Sequence, residues 1–108
     1  MADREIKGVI VPILTPLNSG ETVDKNSLRR LVNYLLDNGV HGIWVSGTTG
    51  EFSALSDQQR LASMETVVDE VAGRVPVIGN VSGPSTQLSL NLTLAVQEMG
   101  MDAVAVTP

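Results

Sequence analysis

The feature that most constrains this chain is a unit that recurs three times: a short apolar run, a loop, an amphipathic helix and a glycine that stops it. Gly39, Gly73 and Gly100 close three such units, each followed by another apolar run, and the spacing of about thirty residues is that of a βαβ unit. Parallel strands joined by right-handed helical crossovers are what such a unit builds. The expectation is therefore an α/β fold on a parallel sheet. An open doubly wound sheet and a closed (β/α)8 barrel both begin this way, and periodicity does not separate them.

In chain order, Lys7 to Leu17 is almost continuously apolar and reads as a buried parallel strand, with Pro12 pointing to an edge or a bulge. Asp24 is placed to cap the first helix and Val23 to pack on Leu28 as a hydrophobic staple; Leu28, Leu31, Val32, Leu35 and Leu36 form its apolar side. Ile43-Trp44-Val45 is the second strand. Ser56 with Gln59 predicts a capping box at the start of a helix whose stripe is Leu61, Met64, Val68 and Val71. Val75 to Gly79 is the third strand, and Asn80 to Pro84 reads as a polar loop. Ser85 caps a helix carrying Leu88, Leu92, Ala95, Val96 and Met99, widened by Leu90 and Leu94. So broad an apolar face predicts cover on two sides, by the sheet and by a neighbouring helix or subunit. Asp102 to Pro108 is the fourth strand.

Between the second strand and the second helix lies Gly47-Thr48-Thr49-Gly50, two hydroxyls bracketed by two flexible glycines. A loop of this kind folds tightly with its N–H groups converging, and with a helix N-terminus behind it attracts a carboxylate or a phosphate. This is the candidate binding site.

Composition removes several classes. The chain has 108 residues, no cysteine and a formal charge of -5, which excludes a disulfide scaffold and a cysteine-based zinc site. Its basic residues are scattered, so no nucleic-acid partner is expected. No cluster of carboxylates and histidine has ligand spacing, and neither metal nor cofactor is expected. The first residues, Met1 to Lys7, mix charges of both signs with no long apolar segment behind them. Neither a signal peptide nor a membrane span fits, and the expected address is cytoplasmic. Asn80-Val81-Ser82 and Asn91-Leu92-Thr93 match the glycosylation triplet but read as ordinary polar residues in a loop and on a helix.

Several landmarks stand together: Thr15-Pro16, Gly47 to Glu51, Leu55-Ser56 with Arg60, Gly73 to Ile78, Gly100 with Asp102-Ala103, and Thr107-Pro108. On these the chain resembles the N-terminal part of the dihydrodipicolinate synthase and N-acetylneuraminate lyase family of (β/α)8-barrel aldolases. The resemblance implies that residues 1–108 are an N-terminal half-barrel segment, the (βα)3β portion of a single TIM-barrel domain. Family members form a Schiff base between a lysine and the ketone of pyruvate or a related 2-keto acid, then make or break a carbon–carbon bond, and are usually homotetramers. The resemblance places Gly47, Thr48 and Thr49 at the substrate carboxylate and gives Thr48 a catalytic part in a hydroxyl relay that moves protons. The family's Schiff-base lysine lies on a later strand and its main tyrosines beyond Pro108, so the segment by itself is expected to be inactive. Gly79 to Ser82 departs from the small, glycine-rich sequence common after the third strand, a difference expected to bear on substrate choice.

Other residues receive plainer readings. Lys7 precedes the first strand and Lys25 sits in an exposed first helical turn, so neither is expected to be desolvated into a neutral amine. His41 reads as a surface or packing residue, Tyr34 as core or interface packing, Asp57 and Glu65 as a solvated helix face. Glu51 is expected to hold the loop by accepting backbone or hydroxyl hydrogen bonds. An apolar parallel sheet with an uncovered face and two bare edges predicts a fragment of a longer chain, or self-association. The alternatives to an aldolase segment are a small open α/β module that holds an anion such as phosphate, and a self-associating structural half-barrel.

Overall fold

The computed structural model describes residues 4–107. Among them, strands β1 (Ile10–Pro12), β2 (Gly42–Val45), β3 (Val77–Asn80) and β4 (Ala103–Ala105) alternate with helices α1 (Lys25–Asp37), α2 (Asp57–Val71) and α3 (Thr86–Gln97). All the pairings are parallel and the spatial order is β1-β2-β3-β4. A doubly wound sheet reverses its order at a switch point. Here the order never reverses, and α1 packs on α2 and α2 on α3 as one layer, which is how a (β/α)8 barrel begins.

The caps form where the residues call for them. Asp24 accepts from the Ser27 N–H at 3.0 Å, and Ser85 accepts from the Leu88 N–H at 3.2 Å. The Ser56 hydroxyl accepts from the Gln59 N–H at 3.1 Å while the Gln59 side-chain Oε1 accepts the Ser56 N–H at 2.7 Å, so both halves of the capping box are made. Gly39, Gly73 and Gly100 all take left-handed φ angles of 77–87° after the helices end, a conformation that costs a glycine little.

The register assigns the two faces of the sheet. Ile43 and Val77 are partners, as are Val45 and Gly79, and these face the helices, where Leu28, Val32, Met64, Val67, Leu92, Val96 and Met101 bury with them. A Cβ on Gly79 would lie 3.0 Å from Met101 Cε and 3.2 Å from Met64 Sδ, so glycine lets the helix layer close on β3. Pro12, Trp44, Ile78 and Ala103 share the next level and point to the opposite, inner face.

Two expectations need correction, the extent of the outer strands and the place of Asn80. The outer strands are much shorter than the apolar runs that contain them. β1 pairs on one side only and Pro12 has no N–H to donate, so the ladder extends only to Val9 O, which accepts from the His41 and Gly42 N–H groups, and to Ile13 N–H, which donates to Trp44 O. Leu17 instead bridges antiparallel to Val23 around the Asn18–Thr22 turn, and the expected end of the fourth strand, Pro108, lies outside the described residues. Asn80, read as loop, is the last residue of β3 and is buried. Tyr34, read as core or interface packing, is 63% exposed on the outside of α1 and so lies outside this chain's core. On α3, Leu92 and Val96 are buried against the sheet but Leu88, Leu90 and Leu94 are exposed, so the second cover expected for that helix is not among the described residues.

The N-terminal end of the sheet is closed by an ion pair. Arg4 donates to both oxygens of buried Asp102 at 3.0 and 3.1 Å and to the carbonyls of Gly73 and Val75, while Asp102 also accepts the Val77 N–H at 2.9 Å. Burial pushes the Asp102 pKa up, but Arg4 and the Val77 N–H outweigh it and hold the carboxyl below its usual 3.8. His41 lies at this same end, its Nδ1 accepting the Val9 N–H at 2.8 Å. Because the native pKa of Asp102 is lowered, its contribution to stability is complete above the ordinary carboxylate value and is lost as pH falls through the lower native one. Asp102→Asn should therefore be less stable than the parent at neutral pH, with the difference narrowing below about pH 3.8; urea unfolding across that range measures it.

Candidate functional site

All the βα loops rise from the C-terminal end of the sheet, and the loop after β2 stands over the inner face. Its path is set at Ser46, fully buried and at φ 61°. A non-glycine residue in the left-handed region costs on the order of 1–3 kcal/mol and persists only where its surroundings enforce it. They do so here. The Ser46 carbonyl accepts from Asn80 Nδ2 at 2.9 Å and its hydroxyl from Arg60 Nε at 3.2 Å.

The loop then closes on itself and on its neighbour. Glu51 N–H donates to Thr48 O at 3.0 Å and Phe52 N–H to Gly47 O at 3.2 Å. From the loop after β1, the buried Thr15 hydroxyl donates to Gly50 O at 2.8 Å. Close approach demands both glycines: a Cβ on Gly47 would stand 2.7 Å from Trp44 Nε1, and one on Gly50 3.0 Å from Thr15 Oγ1 and 3.1 Å from Ile13 O. The Glu51 carboxylate plays no part in this. It is exposed and makes no hydrogen bond among the described residues, so the expectation that it holds the loop is corrected: Thr15 and the loop's own N–H groups do.

Gly47, Thr48 and Thr49 line a hollow of about 340 Å³ with Ile10, Pro12, Trp44, Asn80 and Thr107. Gly47 is buried; Thr48 and Thr49 are exposed, and their hydroxyls make no hydrogen bond among the described residues. A self-capping turn would have used those hydroxyls on its own backbone. Here they and the N–H groups of Thr48 and Thr49 stay available, over a floor that is apolar at Ile10, Pro12 and Trp44.

Beneath the loops lies Arg60, on the first turns of α2 and only 4% exposed. Besides Ser46 it donates to Ser82 O and Asn80 O, each at 2.7 Å, and its guanidinium lies 5.1 Å from the centroid of the Phe52 ring. No carboxylate is within ion-pairing distance among the described residues, and burial lowers its pKa below that of a free guanidinium, opposed by the charge of Asp57. Asn80 Oδ1 accepts from the Ser82 hydroxyl at 2.6 Å, and that hydroxyl accepts the Thr107 N–H at 2.6 Å. Neither Arg60 nor Asn80 is visible as a site residue from composition or motif. Arg60 did leave a signal: it stands four residues before Met64 and seven before Val67, in step with the buried stripe of α2, where an unpaired arginine would be costly.

The two lysines stand elsewhere. Lys7 is exposed before β1, 3.3 Å from Glu5, and Lys25 is exposed at the start of α1. Among the described residues no group of carboxylates and histidine has the arrangement of a metal site, and no helix is long and apolar enough to cross a membrane.

Comparison with known proteins matches residues 5–108 to the model of the dihydrodipicolinate synthetase family. The chain is 41% identical over 104 residues to 4-hydroxy-tetrahydrodipicolinate synthase of Cellvibrio japonicus, covering 95% of this chain and 36% of that protein. It is 39% identical over 106 residues to N-acetylneuraminate lyase of Enterobacter sp. strain 638, covering 97% and 36%. Among solved structures it is similar to YagE, a prophage protein of the dihydrodipicolinic acid synthase family from E. coli K12 in complex with pyruvate, with a TM-score of 0.88, 31% identity, and coverage of 92% of this chain and 33% of that one. The chain thus spans about a third of the length of the relatives it matches.

The packing at Gly47 carries its own test. Gly47→Ala should destabilise the chain by about 1–3 kcal/mol in urea unfolding, because its Cβ must displace a packed indole. Gly20→Ala, whose Cβ would meet nothing nearer than 3.5 Å, should change stability far less.

Proposed function

Because the chain belongs to the dihydrodipicolinate synthetase family, we propose that it is the N-terminal half-barrel segment of a Schiff-base, class I aldolase or lyase acting on pyruvate or a related 2-keto acid. In this reading residues 1–108 supply the carboxylate-binding loop of a single TIM-barrel domain. The observation that carries it is the pair of hydroxyls at Thr48 and Thr49, which with the neighbouring loop N–H groups have no partner among the described residues and stand above an apolar hollow.

A 2-keto acid needs two different surroundings. Its carboxylate needs donors, each charge-assisted hydrogen bond contributing about 1.5–3 kcal/mol. Thr49, Thr48 and the backbone at Gly47 provide them. Its small carbon skeleton needs dry surface, which Trp44, Pro12 and Ile10 offer. Thr48 takes a second part: its hydroxyl both donates and accepts, so it joins a relay that carries a proton to or from the reacting centre. Neither metal nor cofactor enters the chemistry. Carbon–carbon bond change requires an amine to condense with the ketone, and Lys7 and Lys25 are both exposed and line no part of the hollow. The segment therefore binds and orients, and the amine belongs to the remainder of the barrel. The assembled protein acts in the cytoplasm as a homo-oligomer, a homotetramer by family habit, with no nucleic-acid or membrane partner.

Two measurements test this. Incubation of the 108-residue chain with pyruvate and borohydride should leave its mass unchanged; an adduct on Lys7 or Lys25 would refute the claim that the reactive amine lies elsewhere. Pyruvate titrated into the 15N-labelled chain should shift the amides of Thr48 and Thr49, and Thr49→Val should weaken that binding about tenfold by removing one charge-assisted hydrogen bond. Equal affinity in the variant sinks the carboxylate assignment.

A further inference from the structure

We infer that Arg60 is a positioning residue for the keto-acid loop: it holds Ser46 in its left-handed conformation and ties the ends of β2 and β3 into one unit, so that Thr48 and Thr49 stand over the inner face. The ligand in this statement rests on the function proposed above; the clamp itself does not.

The geometry separates this role from simple core filling. A buried guanidinium placed only for packing would satisfy its donors anywhere. The three hydrogen bonds that Arg60 donates go to Ser46, Asn80 and Ser82, at the ends of two adjacent strands. Ser46 is the residue before Gly47, so its φ of 61° decides the direction in which the loop leaves β2. Asn80 reinforces the same point from the other side through the Ser46 carbonyl, and is itself fastened by Ser82, whose hydroxyl reaches on to Thr107. Among the described residues no buried side-chain nitrogen or oxygen lacks a partner, so the network is complete and a change at its centre reaches every loop it touches. A planar fork of five donors makes this possible. Lysine, a compact and strongly hydrated ammonium, cannot span carbonyls on two strands and a hydroxyl together.

A comparison of Arg60→Lys and the double variant Arg60→Lys/Ser46→Gly tests the clamp by amide hydrogen exchange. In Arg60→Lys the amides of Glu51, Phe52 and Ser82 should exchange about tenfold faster, whereas the Val77 amide, bonded to Asp102 at the opposite end, should change less than about twofold. Adding Ser46→Gly should return Glu51 and Phe52 towards the parent, because glycine takes a positive φ without being held there. If Arg60→Lys does not fold, a folded double variant with parental protection at Val77 supports the clamp, and failure of both to fold overturns it. Equal acceleration at Val77, unchanged loop amides, or no recovery on adding glycine each overturn it as well. Pyruvate affinity on the same samples should fall about tenfold in Arg60→Lys and recover in the double variant. A parent chain that binds no pyruvate would reject the keto-acid reading while the exchange rates still decide the role of Arg60.

Discussion

At the C-terminal end of a parallel sheet the strand carbonyls run out of partners just where the loops begin. Arg60 meets that deficit. Its guanidinium takes the carbonyls of Asn80 and Ser82 and the hydroxyl of Ser46 while almost wholly excluded from water. Taking a cation out of water is costly, and with no carboxylate in contact among the described residues the offset comes from carbonyl dipoles, from the face of Phe52 and from the more distant charge of Asp57. The arrangement works because α2 runs antiparallel to the strands it connects, so its first turns lie over the ends of β2 and β3.

The opposite end of the sheet is closed by different chemistry. There Arg4 has a true counter-ion in Asp102, and the pair joins the start of β3, the turn before it and the start of β4. With both ends fastened, the sheet between them needs only small, regular contacts such as Gly79 against Met64 and Met101. Hydrogen bonds then run through the three βα loops and the residues after β4: Thr15 to Gly50, Asn80 to Ser46, Ser82 to Asn80, Thr107 to Ser82. A binding site made of loops is precise only if the loops share a support. Here the support lies beneath the hollow, and the two threonines above it remain free for a ligand.

How much of this could be read from residues alone varies with the range of the interaction involved. The caps at Asp24, Ser56 and Ser85 and the stops at Gly39, Gly73 and Gly100 were legible because each is decided within one turn of chain. The extents of β1 and β4 were not, since an apolar run looks the same whether or not a neighbouring strand is there to pair with it. For Tyr34, read as core or interface packing, a place near a leucine face does not say which way the ring turns, and the structure turns it away from this chain's core. Glu51 was misread because an acidic residue in a loop invites a hydrogen-bonding role that Thr15, far away in sequence, fills instead. In the site, Gly47, Thr48 and Thr49 stood out as a motif, whereas Asn80 passed as a loop residue and Arg60 as a landmark of a helix start.

By itself the sequence determined the order of strands and helices, their caps and stops, and the loop that carries the hydroxyls, because these depend on spacing, backbone freedom and side-chain hydrogen bonds over a few residues. Only the tertiary structure decided that the sheet runs in consecutive order with its helices in one layer. It alone turned Asn80 inward, put Arg60 under the ends of two strands, and brought Ser46 to a backbone angle that a serine rarely takes. Each of these rests on contacts between residues 14 to 34 positions apart, and no local pattern records which distant carbonyl a buried donor will find.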